Sequence, residues 1–278
     1  ETSQDTFSTA NWRSAAGATF STGSFGKTSL WGLWIEDAIA LGPDVTLTAG
    51  IRYDRWRAFD GASGGRSRDR RGDARYAARS DDSISPKLSL QTKLPADIDL
   101  QLSVGTATRF PTVGELFQGR FDDIAQAIDP QSFDPNLKAE KSKDANLILA
   151  RRFGKLRATA SLFWQDIDDA IFSFSGLNQF GTVITSYKNV DRVRQYGLEF
   201  IAEVKDLLPG LGIDGNIAWT DAQTLRNRAN PAAEGVQSPR TPRWRSNGNI
   251  RYTVAEPVKL SLGWRFATRP NSDLFGLV

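Results

Sequence analysis

Down the length of this chain, segments of about ten residues alternate apolar with polar side chains, and the connections between them alternate short with long. Gly42-Pro43-Asp44, Pro95-Ala96-Asp97, Gly154-Lys155, Lys205 to Gly210 and Ala255-Glu256-Pro257 are brief. The stretches around 58–81, 109–140, 173–189 and 226–240 are long and polar. A barrel that crosses an outer membrane combines tight periplasmic turns with long extracellular loops and about ten residues per crossing. A soluble sandwich has no reason to gather its long loops at one end.

The alternation also separates two chemistries. At 45–54, Val45, Leu47, Ala49, Ile51 and Tyr53 share one face, and Thr46, Thr48, Gly50, Arg52 and Asp54 the other. Arg52 and Asp54 would be costly in a dry core, but a watery lumen accepts both. At 98–104, Ile98, Leu100, Leu102 and Val104 oppose Asp99, Gln101 and Ser103. At 243–254, Trp244, Ile250, Tyr252 and Val254 oppose Arg243, Arg245, Asn247, Asn249 and Arg251. Segments 156–164, 211–219 and 258–266 repeat the pattern, and Trp31, Tyr53, Trp164, Trp219, Trp244, Tyr252, Trp264 and Phe266 fall near strand ends, as interfacial girdles do. The alternative for any one of these aromatics is the ordinary preference of strands for such residues.

Eleven strands are predicted, over 6–20, 30–41, 45–57, 82–94, 98–108, 141–153, 156–172, 190–204, 211–225, 241–254 and 258–268. The fold class is all-β, an antiparallel transmembrane β-barrel. Single-chain bacterial barrels have even strand numbers, so eleven reads as part of one. No run of eighteen apolar residues exists, which excludes transmembrane helices but not strands. With no cysteine, histidine or methionine, the chain offers no disulfide or thiolate site and lacks the commonest general base. A net charge of +3 is too small for a nucleic-acid surface. No nucleophile elbow, phosphate-cradling glycine motif or metal-ligand spacing is present, so no catalytic residues, metal site or cofactor are expected. The Asp166, Asp168 and Asp169 cluster is expected as a solvated rim.

One stretch is more specific. Arg109-Phe110-Pro111-Thr112, then Glu115-Leu116, then Asp134-Pro135-Asn136-Leu137-Lys138-Ala139-Glu140-Lys141-Ser142 resembles the barrel of TonB-dependent outer-membrane receptors. Ala139 stands where that family usually has proline, and the order at 134–136 is shuffled. Further matches are Ala49-Gly50-Ile51-Arg52-Tyr53-Asp54, Phe163 to Ile171, Asn189-Val190 and Tyr196-Gly197-Leu198-Glu199. The resemblance spans residues 30–268.

What the resemblance implies is a barrel of about 22 strands filled by a plug. Residues 1–278 would form part of that barrel, strands nine to nineteen, with the plug and terminal strands lying elsewhere. The complete protein would sit in the outer membrane of a Gram-negative bacterium, among outer-membrane lipid and lipopolysaccharide. It would import a scarce nutrient complex, above all a ferric siderophore or similar chelate, with energy delivered by TonB through the plug. The rival readings are a passive porin and a soluble β-rich binding module. Pro111 and Pro135 are expected to end strand pairing at loop bases, Gly197 to thin the wall where a plug packs, and Glu199 to face that plug.

Ligand capture is assigned to the arginine-rich loop 55–79, which holds Arg55, Arg57, Arg66, Arg68, Arg70, Arg71, Arg75 and Arg79, whose planar forks suit carboxylate, catecholate and phosphate oxygens. Contact with lipopolysaccharide phosphates, or a mobile solvated loop, are the alternatives. Arg109, Phe117, Arg120 and Phe121 offer cationic and aromatic groups to an aromatic chelator, with Phe172, Phe174 and Phe180 beside them; loop packing is the alternative. Arg52, Asp54, Glu199, Arg245, Asn247, Asn249 and Arg251 are expected to face the lumen as structural residues.

Overall fold

The computed structural model describes residues 2–8, 19–65, 74–119, 121–122, 127–129, 131–177 and 183–273. In chain order the strands are β1 (Thr2–Ser8), β2 (Thr19–Gly42), β3 (Val45–Gly65), β4 (Ala74–Arg75), β5 (Arg79–Leu94), β6 (Ile98–Arg109), β7 (Phe121–Asp122) and β8 (Ala127–Ile128). They continue as β9 (Glu140–Phe153), β10 (Leu156–Leu177), β11 (Val183–Val204), β12 (Leu211–Arg226), β13 (Trp244–Ala255) and β14 (Val258–Ala267). One short helix, α1 (Val113–Phe117), lies between β6 and β7. Eleven strands pair in the order β1-β2-β3-β5-β6-β9-β10-β11-β12-β13-β14, with β4 against β3 and a separate β7–β8 pair. Every pairing is antiparallel, and the sheet is an open, partial barrel.

The two faces separate as the alternation predicts. On one, Leu33, Ile84 and Leu262 are 64–67% exposed, with Leu102, Leu162, Leu198, Phe200 and Leu260 on the same side. An apolar face this extensive is what hydrocarbon covers. Girdle aromatics meet on it: the rings of Trp31 and Tyr53 are edge-on at 5.5 Å, those of Tyr196 and Trp219 at 5.7 Å. The opposite face carries polar residues such as Arg52, Asp144, Gln165 and Asn216.

The first predicted strand is corrected. Residues 6–20 do not form one strand: Phe7 and Phe20 stand opposite each other, one on β1 and one on β2, and residues 9–18 lie outside the described residues. Residues 9–18 contain no proline, so local sequence does not mark where β1 ends and β2 begins. The loops at 58–81 and 173–189 also prove shorter than expected. β3 continues to Gly65, β10 to Leu177, and β11 begins at Val183, so the paired wall runs far beyond ten-residue crossings.

Candidate functional site

The segment between β6 and β9 turns inward and packs on the lumen face near the long-loop end. Thr112 starts α1 with a capping box: its hydroxyl accepts from the Glu115 N–H, and the Glu115 carboxylate accepts from the Thr112 N–H at 2.8 Å. Val113, Leu116, Phe117 and Leu137 then bury against Trp56 and Ala58 of β3. Phe110 stacks on Trp56 and Tyr76 stacks on Phe117, with ring centroids 5.7 and 5.2 Å apart. Phe117, 2% exposed, is seated between Gly26 and Gly61, where any Cβ would strike its ring.

Polar contacts fix the rest of the segment. Arg109 donates to Glu140 from Nε and to Glu115 from Nη1, the latter at 2.9 Å. These carboxylates hold the guanidinium pKa above its usual range, the Glu140 hydrogen bond most of all, although burial opposes the shift. Glu140 also accepts from the Ile171 N–H at 2.6 Å, joining β6, β9 and β10 through one carboxylate. Arg79 donates to the Pro135 carbonyl at 2.9 Å and lies over the Trp56 ring. Asn189 accepts from the Lys138 N–H at 2.9 Å and donates to the carbonyls of Lys138 and Asp169. The residues that carried the family resemblance are thus the ones that tie this segment to the wall.

Along the lumen face a register row runs Glu36, Gly50, Lys87, Gly105, Asp144, Gln165, Gln195, from β2 to β11. Gly50 leaves the room in which Lys87 reaches Glu36 as an ion pair. Gln165 donates to Asp144 at 2.5 Å and Gln195 donates to Gln165. A second ladder joins Asn247 to Asn216 and Asn216 to Glu199, the latter at 2.8 Å. Arg52 is paired with Asp54, and Arg251 with Asp214, each at 2.6 Å. Asn249 hydrogen-bonds Ser261 at 2.8 Å, and Arg245 stands opposite Ala218 on the same face. Polar groups stacked across strands make a wall that suits water or a polar occupant.

Of the residues named for capture, Arg66, Arg68, Arg70, Arg71 and Arg120 lie outside the described residues, as does Phe180. Phe121 is opposite Ile128 in the β7–β8 pair. Phe117 packs the loop, and Arg109 is engaged with two carboxylates. Phe172 and Phe174 pack against Ala170, Val190 and Val193. Gly197 lies against the Trp219 carbonyl of β12 and under the Phe163 ring of β10, so a side chain has no room there. The acidic cluster is corrected at Asp166, while Asp168 stays half-exposed as a rim residue. Asp166, 2% exposed, receives Arg192 and Arg194 at 2.6 Å each, and Asp169 pairs with Lys138. The cross-strand register that brings Arg194 opposite Asp166 is invisible in local sequence. Among the described residues, no group of three or more acidic or other metal-ligating side chains converges.

The comparisons agree with this architecture. No curated protein matches the sequence. Among solved structures, the chain is similar to the copper transporter OprC, with 19% identity and a TM-score of 0.68, covering 94% of this chain and 39% of that one. The siderophore receptor PiuA from Acinetobacter baumannii is similar at 16% identity and a TM-score of 0.66, over 94% of this chain and 36% of its own. The ferric yersiniabactin uptake receptor FyuA from Yersinia pestis gives 15% and 0.65, over 93% and 38%. The chain therefore spans less than two fifths of each of these proteins. The family model described as TonB dependent receptor-like, beta-barrel, matches residues 2–276. The chain belongs to the TonB-dependent receptor-like β-barrel family.

Proposed function

We propose that this wall is part of an outer-membrane receptor that imports a scarce nutrient complex actively, with TonB acting on a plug inside the barrel. The observation that carries the reading is the pairing of an apolar outward face with a lumen face of hydrogen-bonded polar rows, in a chain of this family. A ferric siderophore is the favoured cargo. Support comes from similar structures that include a siderophore receptor and a ferric yersiniabactin uptake receptor, beside a copper transporter. Within this reading Arg66, Arg68, Arg70 and Arg71 draw an anionic chelate to the mouth, and the lumen rows face the plug.

The test is uptake of radiolabelled iron chelates by iron-starved cells carrying the complete receptor, with and without TonB. Accumulation that needs both supports the proposal. Entry that follows the concentration gradient and ignores TonB would establish the passive porin instead.

A further inference from the structure

Lys87 occupies a symmetrical place on the lumen face. Glycine flanks it on both sides in its register row, and a carboxylate lies beyond each glycine: Glu36, Gly50, Lys87, Gly105, Asp144. Neighbouring strands lie about 4.8 Å apart, so the backbone of each acid stands about 10 Å from that of Lys87. A Cβ on Gly50 would come within 2.9 Å of Lys87 Cε, and one on Gly105 within 3.3 Å of Lys87 Cβ. The two glycines therefore clear a trough for the lysine stem towards either acid.

Lys87 is paired with Glu36. Their side chains are 62% and 41% exposed, and a pair so open to water holds its partners weakly. Asp144 accepts from Gln165 at 2.5 Å and from Ser142 at 2.7 Å, while a carboxylate has room for about four donors. It can therefore take the ammonium as well.

The pair also stands at a boundary. A lumen hollow of about 440 Å³ on the long-loop side reaches Trp34, Arg52 and Asp54, and one of about 430 Å³ on the short-turn side reaches Thr48, Ser89 and Gln91. Glu36 and Lys87 line both, whereas Asp144 lines the second. Moving the ammonium from Glu36 to Asp144 empties the trough over Gly50 and joins the two hollows along β2 and β3.

We propose that Lys87 is a two-position switch of the lumen wall, held by Glu36 while the path along the wall is closed and by Asp144 while cargo passes. An anionic chelate in the upper hollow repels Glu36 and attracts Lys87, so it weakens the first pair and favours the exchange. This rests on the reading of the chain as the wall of an importing receptor.

The direct test is carbodiimide cross-linking of the intact receptor in outer-membrane vesicles, which joins an amine to a carboxylate only where the two touch. The joined peptides are read by mass spectrometry. Links from Lys87 to both Glu36 and Asp144 are expected, and Glu36→Gln should raise the Asp144 link about two- to fivefold, because an exposed pair restrains the lysine little. A Glu36 link alone, or an Asp144 link that Glu36→Gln leaves unchanged, would overturn the switch. Uptake into cells supplies the second arm, with radiolabelled ferric catecholate, ferric hydroxamate and ferric citrate as probes and rates normalised to folded receptor. Glu36→Lys with Lys87→Glu re-forms the pair with its signs exchanged but sets an anion beside Asp144, so uptake should stay low. Adding Asp144→Lys should restore it. Full uptake by the double variant would reduce the pair to a structural tie and end the proposal. The wild-type cross-links need no substitution, so they decide even where a variant fails to assemble. Both links without TonB-dependent uptake of any probe would bring down the receptor reading alone; uptake with the Glu36 link alone would bring down the switch alone.

Discussion

Phe117 shows how a single side chain organises the inner mouth. Its ring fills the space left by Gly26 and Gly61 and stacks on Tyr76, so Phe117→Ala removes contacts from three parts of the wall. We expect a loss of about 3–5 kcal/mol in local stability, seen as faster proteolysis and hydrogen exchange between α1 and β9. Unaltered protection there would mean that the polar ties at Arg109 and Asn189 suffice. A second residue-scale prediction concerns acid. Asp191 accepts from Arg228 through its guanidinium and its backbone N–H, and these bonds hold the carboxyl below its ordinary range. A depressed carboxyl pKa stabilises the folded form above the unfolded value of about 4 and loses that contribution as pH falls through the lower folded value. Hydrogen exchange in residues 227–240 should therefore accelerate under acid, and Asp191→Asn should remove the step.

At the scale of elements, seams between strands depend on glycines that receive aromatic rings. Trp264 of β14 lies over Gly248 of β13 and reaches Gly215 of β12. Gly248→Val should push that ring away and cost about 1–3 kcal/mol, read as a lower temperature of the folded-to-unfolded band shift on gels. An unchanged shift would show that the β13–β14 ladder carries the seam without the ring. The same scale explains what the sequence made legible. The two-residue period located strands and faces because every side chain's direction follows from it, as with Arg52 and Asp54 on the lumen side. Strand ends and partners were not legible. Polar extensions such as residues 58–65 look like loop until a neighbouring strand pairs with them. Asp166 needed Arg192 and Arg194 from twenty-six and twenty-eight residues away. Phe117 read as a free aromatic because its seat is made by glycines on two distant strands.

For the whole molecule, capture and coupling must be tested on the complete receptor. Neutralising Arg66, Arg68, Arg70 and Arg71 together is expected to weaken binding of an anionic ferric chelate and to flatten its dependence on salt, because steering by exposed charge is screened within about a Debye length. Titrations at low and high ionic strength measure both effects, and unchanged affinity would remove the loop from the mechanism. The length of the wall has a further consequence. β2 has 24 residues and β10 and β11 have 22 each, about twice the ten or so that an outer-membrane crossing takes. The excess is a turret of paired strand, and pairing imposes a parity rule on its evolution. Losing or gaining one residue inside the turret turns later side chains to the opposite face unless a β-bulge absorbs the change, as the register shifts at Phe25/Lys27 and Arg192/Val193 do. Drift in its length is therefore channelled into steps of two, into bulges, or to the tips where pairing ends.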